Sequence, residues 1–212
     1  MKLDKKSTML YAITDRAWLG DKKLSEVVED AILGGATFIQ IREKSLGYEE
    51  FLNLAMEVKM ITDKYNIPFV INDNVKVAYE IDADGVHIGQ SDEEIKIARE
   101  ILGNDKIIGV SARTVEEAIK AEQDRADYIG VGAIFSTSTK HDADNVTKET
   151  LKEICQKVNI PVVAIGGITK ENVLELVGTG ISGISVVSAI FSEKDIKNAA
   201  SELLELTKQI VK

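Results

Sequence analysis

Two carboxylates stand at the ends of short apolar runs. Phe69-Val70-Ile71 breaks into Asn72-Asp73-Asn74, and Gly85-Val86-His87-Ile88 breaks into Gln90-Ser91-Asp92. If both runs are neighbouring parallel strands, Asp73 and Asp92 leave the same edge of one sheet and face one crevice, where a carboxylate pair suits a divalent cation. The plainer alternative is capping, because Asp or Asn directly after a strand is a common helix N-cap and Asp73, Asn74, Ser91 or Asp92 would each serve. A cationic set lies upstream. In Gln40-Ile41-Arg42-Glu43-Lys44 the alternation of a strand sends Gln40, Arg42 and Lys44 to one side and Ile41 to the other. An Arg or Lys directed into a protein mouth calls for an anion there, unless a neighbour such as Glu43 pairs with it.

Two further stretches favour phosphate. Phe135-Ser136-Thr137-Ser138-Thr139-Lys140-His141-Asp142 is dense in hydroxyls around one lysine. It is either a solvated loop or a group of donors, Thr137, Thr139 and Lys140 joined by Ser111, for a phosphorylated ligand. Gly166-Gly167-Ile168-Thr169 leaves backbone amides open to a phosphate oxygen, with the dipole of a following helix in support, although a tight strand-to-helix turn would also call for glycine. Of the two histidines, His87 reads as a packed strand residue and His141 as a loop residue. Taken functionally, these residues suit a divalent cation and phosphorylated ligands; taken structurally, they are caps, local ion pairs and turns.

Such residues need a frame that brings distant loops together. The chain repeats one unit: a short apolar run, a polar break, then a segment with helical apolar spacing. Predicted strands are Met9–Thr14, Thr37–Ile41, Phe69–Ile71, Gly85–Ile88, Ile107–Val110, Tyr128–Val131, Val162–Ile165 and Gly183–Val187. Predicted helices include 24–33, 49–64, 74–81, 92–102, one opening with the capping box Thr114-Val115-Glu116-Glu117, then 148–157 and 194–211. Eight strands alternating with eight helices predict an α/β fold, a single-domain (β/α)8 TIM barrel over residues 1–212, with residues 1–8 a short N-terminal extension. An open doubly wound sheet also alternates, but no glycine fingerprint follows the first strand. In a barrel the site lies at the carboxyl ends of the strands, and phosphate commonly sits after strands seven and eight, here Gly166-Gly167 and Val187-Ser188-Ala189.

Composition limits the partners. The chain has 212 residues, 44% hydrophobic and 29% charged, with 15 Gly, 2 Pro and a net charge of −9. That charge argues against nucleic acid and anionic membrane surfaces, so local groups must hold any phosphate. Cys155 is the single cysteine and forms no internal disulfide. The opening MKLDKKSTML lacks an apolar core of signal-peptide length, and no run reaches membrane-spanning length, which predicts a cytoplasmic chain. The oligomeric state is left open.

The motifs in order resemble one family. Tyr11-Ala12-Ile13-Thr14-Asp15, Gln40-x-Arg42-x-Lys44, Ile71-Asn72-Asp73, Ala83-Asp84-Gly85-Val86-His87-x-Gly89-Gln90-x-Asp92, Gly109-Val110-Ser111, Asp127-Tyr128-x-Gly130-x-Gly132, Thr137-x-Thr139-Lys140 and Ala164-Ile165-Gly166-Gly167-Ile168 together resemble the thiamine-phosphate synthases, from the first strand to the last. The resemblance implies a Mg²⁺-dependent transferase of thiamine biosynthesis. Such an enzyme joins 4-amino-2-methyl-5-(diphosphooxymethyl)pyrimidine to 4-methyl-5-(2-phosphoethyl)thiazole and releases pyrophosphate, by a dissociative substitution. By matching position it implies that Gln40, Ile41, Arg42, Glu43, Lys44, Asn72, Ser111 and Lys140 hold the pyrimidine diphosphate, with Arg42, Lys44, Ser111 and Lys140 catalytic. Asp73 and Asp92 would hold Mg²⁺, and Thr137, Ser138, Thr139, Gly167, Val187 and Ser188 the thiazole phosphate. Ala133 and Ser136 stand where the family often has proline, Arg113 where it often has histidine, and Asp144 to Thr147 lack a usual glycine. A related isomerase of the same fold, the thiazole tautomerase, is expected to carry a histidine where this chain has Ala133.

Overall fold

The computed structural model describes residue 3 and residues 5–89, 92–136 and 146–211. Its eight strands are β1 (Leu10–Ile13), β2 (Phe38–Ile41), β3 (Phe69–Asn72), β4 (Gly85–Ile88), β5 (Ile107–Ala112), β6 (Tyr128–Val131), β7 (Val162–Ile165) and β8 (Gly183–Val186). Each pairs in parallel with the next, and β8 returns to β1 with Tyr11 opposite Ser185, so the sheet closes. The strands are almost wholly buried on both faces, which is why they read as continuous apolar runs and not as a polar-apolar alternation. Around them lie α1 (Leu24–Leu33), α2 (Tyr48–Tyr65), α3 (Val75–Glu80), α4 (Asp92–Leu102), α5 (Val115–Gln123), α6 (Lys148–Lys157), α7 (Ser188–Phe191) and α8 (Ile196–Ile210). The single-domain eight-fold barrel expected from the repeat is therefore what forms.

Alternation along each strand divides the core in two. Outward residues such as Ile39, Ile41, Ile71 and Val86 pack under the helices, while Tyr11, Ile13, Phe38, Val70, Ile107, Tyr128 and Val163 fill the barrel itself. Gly109 belongs to this inner packing, because a Cβ there would lie 2.0 Å from the Tyr128 ring. At the amino ends of the strands one pattern recurs four times. Thr37, Asp84, Asp127 and Ser182, each just before an even-numbered strand, donate their amides to the carbonyls of Leu10, Phe69, Ile108 and Val162. The side chains of Thr37, Asp84 and Asp127 also accept the amides of Leu10, Phe69 and Ile108. Asp84 and Asp127, prominent in the sequence motifs, thus tie strands together at the end opposite the cavity. Residues 5–8 form a 3-10 turn that ends in the fully buried Thr8.

One element differs from expectation. No α-helix follows β7; a four-residue 3-10 turn, Val173–Leu176, stands there. Asn172 explains it, since its Oδ1 accepts the Thr169 amide and its Nδ2 donates to the Gly167 carbonyl. A side chain satisfying loop backbone in this way competes with helical pairing. The helix dipole expected behind Gly166-Gly167 is consequently absent from that loop.

Candidate active site

A cavity of about 460 Å³ opens at the carboxyl ends of the strands. Inward positions that are apolar lower in the barrel become polar here, with Gln40 from β2, Asn72 from β3, His87 from β4 and Ser111 from β5 in its wall. Arg42, one residue beyond β2, lines it too, and its amide donates to Thr14 Oγ1 at 3.2 Å. On the opposite side stand Gly166, Gly167, Val187 and Ser188. Of the residues singled out from sequence, Gln40, Arg42, Asn72, Ser111, Gly167, Val187 and Ser188 therefore share one chamber. Ile41 does not, since its side chain is buried under the helices. Thr137, Ser138, Thr139 and Lys140 lie outside the described residues, as does the side chain of Asp92 at the first position of α4.

Asp73 resolves the question of capping. The α3 N-cap is Asn74, whose Oδ1 accepts the Val77 amide at 2.9 Å. The Asp73 backbone lies in the left-handed region at φ 61°, pinned by its amide donating to the His87 carbonyl at 2.9 Å. A non-glycine residue in that region is uncommon, and Asp is among the types that tolerate it. Asp73 Oδ2 takes the Lys44 ammonium at 2.5 Å, both side chains being about half exposed. The donors fit Mg²⁺, a hard cation that takes one or two carboxylates with waters and substrate phosphates.

Glu43 faces away from the chamber, and its role is visible. Its carboxylate accepts from Arg16 Nε, from the amides of Lys44 and Ser45 at 2.8 and 2.9 Å, and from Ser45 Oγ. Burial raises its pKa, but these hydrogen bonds outweigh burial and bring it down to about 2. Arg16 also reaches Ser45 Oγ, so the loop after β1 is clasped to the loop after β2. Among the described residues Glu43 makes no ion pair with the side chain of Arg42 or Lys44; it shapes the turn that separates them.

Gly167 has a steric reason as well as an open amide. Its φ is +61°, and a Cβ would come within 2.4 Å of the Ser136 carbonyl oxygen. The start of the loop after β6 lies against the loop after β7, with Phe135 N–H donating to the Gly166 carbonyl at 3.0 Å. Glycine here therefore lets two loops meet, whatever else its amide binds. Beyond β8, Val187 is the N-cap of α7, and its carbonyl accepts the amides of Ile190 and Phe191 at 3.2 and 3.0 Å.

Sequence reasoning missed a chain of buried polar groups beneath the chamber. Gln40 Nε2 donates to Tyr11 Oη at 2.5 Å, Tyr11 Oη lies 2.8 Å from Tyr128 Oη, His87 Nδ1 lies 2.9 Å from Tyr128 Oη, and His87 Nε2 lies 3.1 Å from Ser111 Oγ. Burial pushes both phenols well above their ordinary range; hydrogen bonds from Tyr128 and Gln40 offset this only in part for Tyr11, and the neighbouring Tyr11 adds to it for Tyr128. Periodicity marks His87 as an inward position without saying what stands across the barrel. Ser185, with its hydroxyl buried and without a hydrogen-bond partner among the described residues, also escaped notice.

A closed eight-stranded parallel barrel with a chamber at the carboxyl ends of its strands, lined by Arg42 among others, has the architecture of the eight-fold barrel enzymes. The comparisons narrow this. The family profile described as Thiamine monophosphate synthase matches residues 10–190. A curated relative from Ruminiclostridium cellulolyticum named thiamine-phosphate synthase is 56% identical over 197 residues, covering 93% of this chain and 94% of that protein. One of the same name from Clostridium tetani is 54% identical over 194 residues, covering 92% and 93%. The solved thiamine phosphate pyrophosphorylase from Pyrococcus furiosus matches with a TM-score of 0.90 at 39% identity, covering 98% of this chain and 99% of that one. The chain belongs to the thiamine monophosphate synthase family.

Proposed function

We propose that the chamber carries out the condensation that the family name describes, joining the pyrimidine diphosphate to the thiazole phosphate to give thiamine phosphate and pyrophosphate. The observation that carries the assignment of roles is convergence: Gln40, Arg42, Asn72 and Ser111 meet Gly167, Val187 and Ser188 around one cavity. The first set is our seat for the pyrimidine diphosphate, with Lys44 and Lys140 beside it. The second set, with Thr137 to Thr139, is our seat for the thiazole phosphate. Ala133 lines the cavity at the position where the tautomerase reading required a histidine, which supports the transferase.

In this reading the bond from the pyrimidine methylene carbon to the diphosphate oxygen breaks first, and its electron pair leaves with the diphosphate. The thiazole nitrogen then supplies its lone pair to the methylene carbon, forming the carbon-nitrogen bond. Charge grows on the leaving group, so catalysis calls for preorganised cations more than for a nucleophile. Arg42, Lys44 and Lys140 would supply them. Asp73 and Asp92 would hold Mg²⁺, which when bound neutralises diphosphate charge. Asp73 is available for this because Asn74 does the capping, and the Lys44 ammonium now on its carboxylate would give way to the metal. Asn72 and Ser111 would orient the pyrimidine. The net charge of −9 and the lack, among the described residues, of a helix long and apolar enough to cross a membrane support a cytoplasmic enzyme of small phosphorylated substrates. The test is incubation with both substrates and Mg²⁺, assayed for thiamine phosphate and pyrophosphate. Failure to form either product from the folded protein would overturn the assignment.

A further inference from the structure

We propose that Ser185 is a further ligand-binding residue of the chamber, its hydroxyl hydrogen-bonding the polar edge of the pyrimidine ring. Ser185 stands on β8 with Tyr11 opposite it on β1 and Ile165 opposite it on β7, and it lines the cavity while only 3% exposed. Its Oγ is buried and has no hydrogen-bond partner among the described residues. An unsatisfied buried hydroxyl costs more than one hydrogen bond returns, so an oxygen kept at this place calls for a partner that arrives from outside the chain. Packing accounts for the size of the side chain and not for its polarity. A small residue suits the neighbour of the bulky Tyr11, yet alanine would fill the same place without an unpaired oxygen. A turn about the single χ1 torsion of serine, among its staggered wells, carries Oγ from the wall to face the cavity.

The wall around Ser185 narrows the chemistry of that partner. Ile13, Val163, Ile165 and Val187 line the cavity on the same side. Among the described residues, the two cations that line it, Arg42 and Arg113, follow β2 and β5, and β1, β7, β8 and their turns contribute none. A phosphate set against these four apolar side chains would be buried without a counter-charge, which is costly, whereas a flat ring with a polar edge suits them. Which ring it is rests on the functional reading above. The thiazole offers one nitrogen, and that nitrogen needs its lone pair free for attack. The aminopyrimidine offers N–H donors on its amino group and acceptors on its ring nitrogens, and a hydroxyl serves either. The pyrimidine then spans the chamber, with Gln40, Asn72 and Ser111 along one side and Ser185 on the other.

The test is Ser185→Ala, followed by thermal melts, by equilibrium binding of the pyrimidine diphosphate in the presence of Mg²⁺, and by steady-state kinetics. Removing an unpaired buried hydroxyl should leave Tm unchanged or raise it. The Kd of the pyrimidine diphosphate should rise about fivefold, the scale of one hydrogen bond, and its kcat/KM should fall by a similar factor, with the KM for thiazole phosphate unchanged. An unaltered Kd overturns the proposal, as does a higher KM for thiazole phosphate at the original pyrimidine Kd. A lowered Tm with equal losses for both substrates would mark a merely structural hydroxyl. With an active wild type, any of these results removes Ser185 and leaves the functional reading in place. A wild type that binds the pyrimidine diphosphate and loses affinity on Ser185→Ala, yet makes no thiamine phosphate, would refute the functional reading and keep Ser185 as a contact.

Discussion

Replacing Asp73 by Asn separates a metal ligand from a structural residue. Asn74 keeps the α3 cap, so no capping energy is lost. Asn tolerates the left-handed backbone that Asp73 occupies at φ 61°, so little strain is added. What goes is the ion pair with Lys44, half exposed on both sides and so contributing at most about 1 kcal/mol. For a chain of this size that corresponds to a fall of about 2–4 °C in Tm. Activity should respond far more. An amide in place of a carboxylate removes one charge holding Mg²⁺ against the diphosphate, and we expect kcat/KM to drop about 100-fold, or about 2.7 kcal/mol. Raising Mg²⁺ should recover part of the loss. The comparison variant Asp73→Ala should have a lower Tm than Asp73→Asn by the cost of a left-handed alanine, about 1–2 kcal/mol. Thermal melts and Mg²⁺ titrations of activity on one preparation decide the matter. Full activity at unaltered Mg²⁺ dependence, or a fall in Tm above about 10 °C for Asp73→Asn, would refute the reasoning.

Gly167→Ala should lower Tm and raise the KM for thiazole phosphate more than that for the pyrimidine diphosphate, since its Cβ would meet the Ser136 carbonyl at 2.4 Å; wild-type melts and kinetics would contradict that close approach. Glu43 has a folded pKa of about 2 against an ordinary 4.5, so its stabilising contribution is complete above about pH 4.5 and disappears as pH falls toward 2. Glu43→Gln should accordingly flatten the decline of Tm across that window, and parallel curves for the two proteins would count against the Arg16 clasp. Lys140→Ala should cost about 3 kcal/mol in kcat if its ammonium stabilises the leaving diphosphate. A near-normal turnover number would return its loop to solvent.

The repeat of apolar run, polar break and helical spacing was enough to predict the barrel, because burial on both faces of a strand leaves an uninterrupted apolar signature that tertiary packing does not override. Knowing that strands begin and end where they do also places Arg42, Asn72, Ser111 and Gly167 at one mouth, since parallel strands in a closed sheet send their carboxyl ends the same way. The missing helix after β7 was not legible. The alternation of strands and helices calls for a helix between β7 and β8, and the contact of Asn172 with the Gly167 carbonyl shows why the turn stays 3-10.

Within the site, local sequence left Asp73 and Asn74 as equivalent caps, and the choice of Asn74 depended on backbone geometry pinned by the His87 carbonyl one strand away. Glu43 likewise stood next to two cations in the chain, yet its partner is Arg16, brought near by the neighbouring loop. The chain from Gln40 to Ser111 draws on β2, β1, β6, β4 and β5, with sequence separations of up to 117 residues. Periodicity can say that Tyr11, Tyr128 and His87 point inward. Which of them meet depends on the register and closure of eight strands, and that relation exists only in three dimensions.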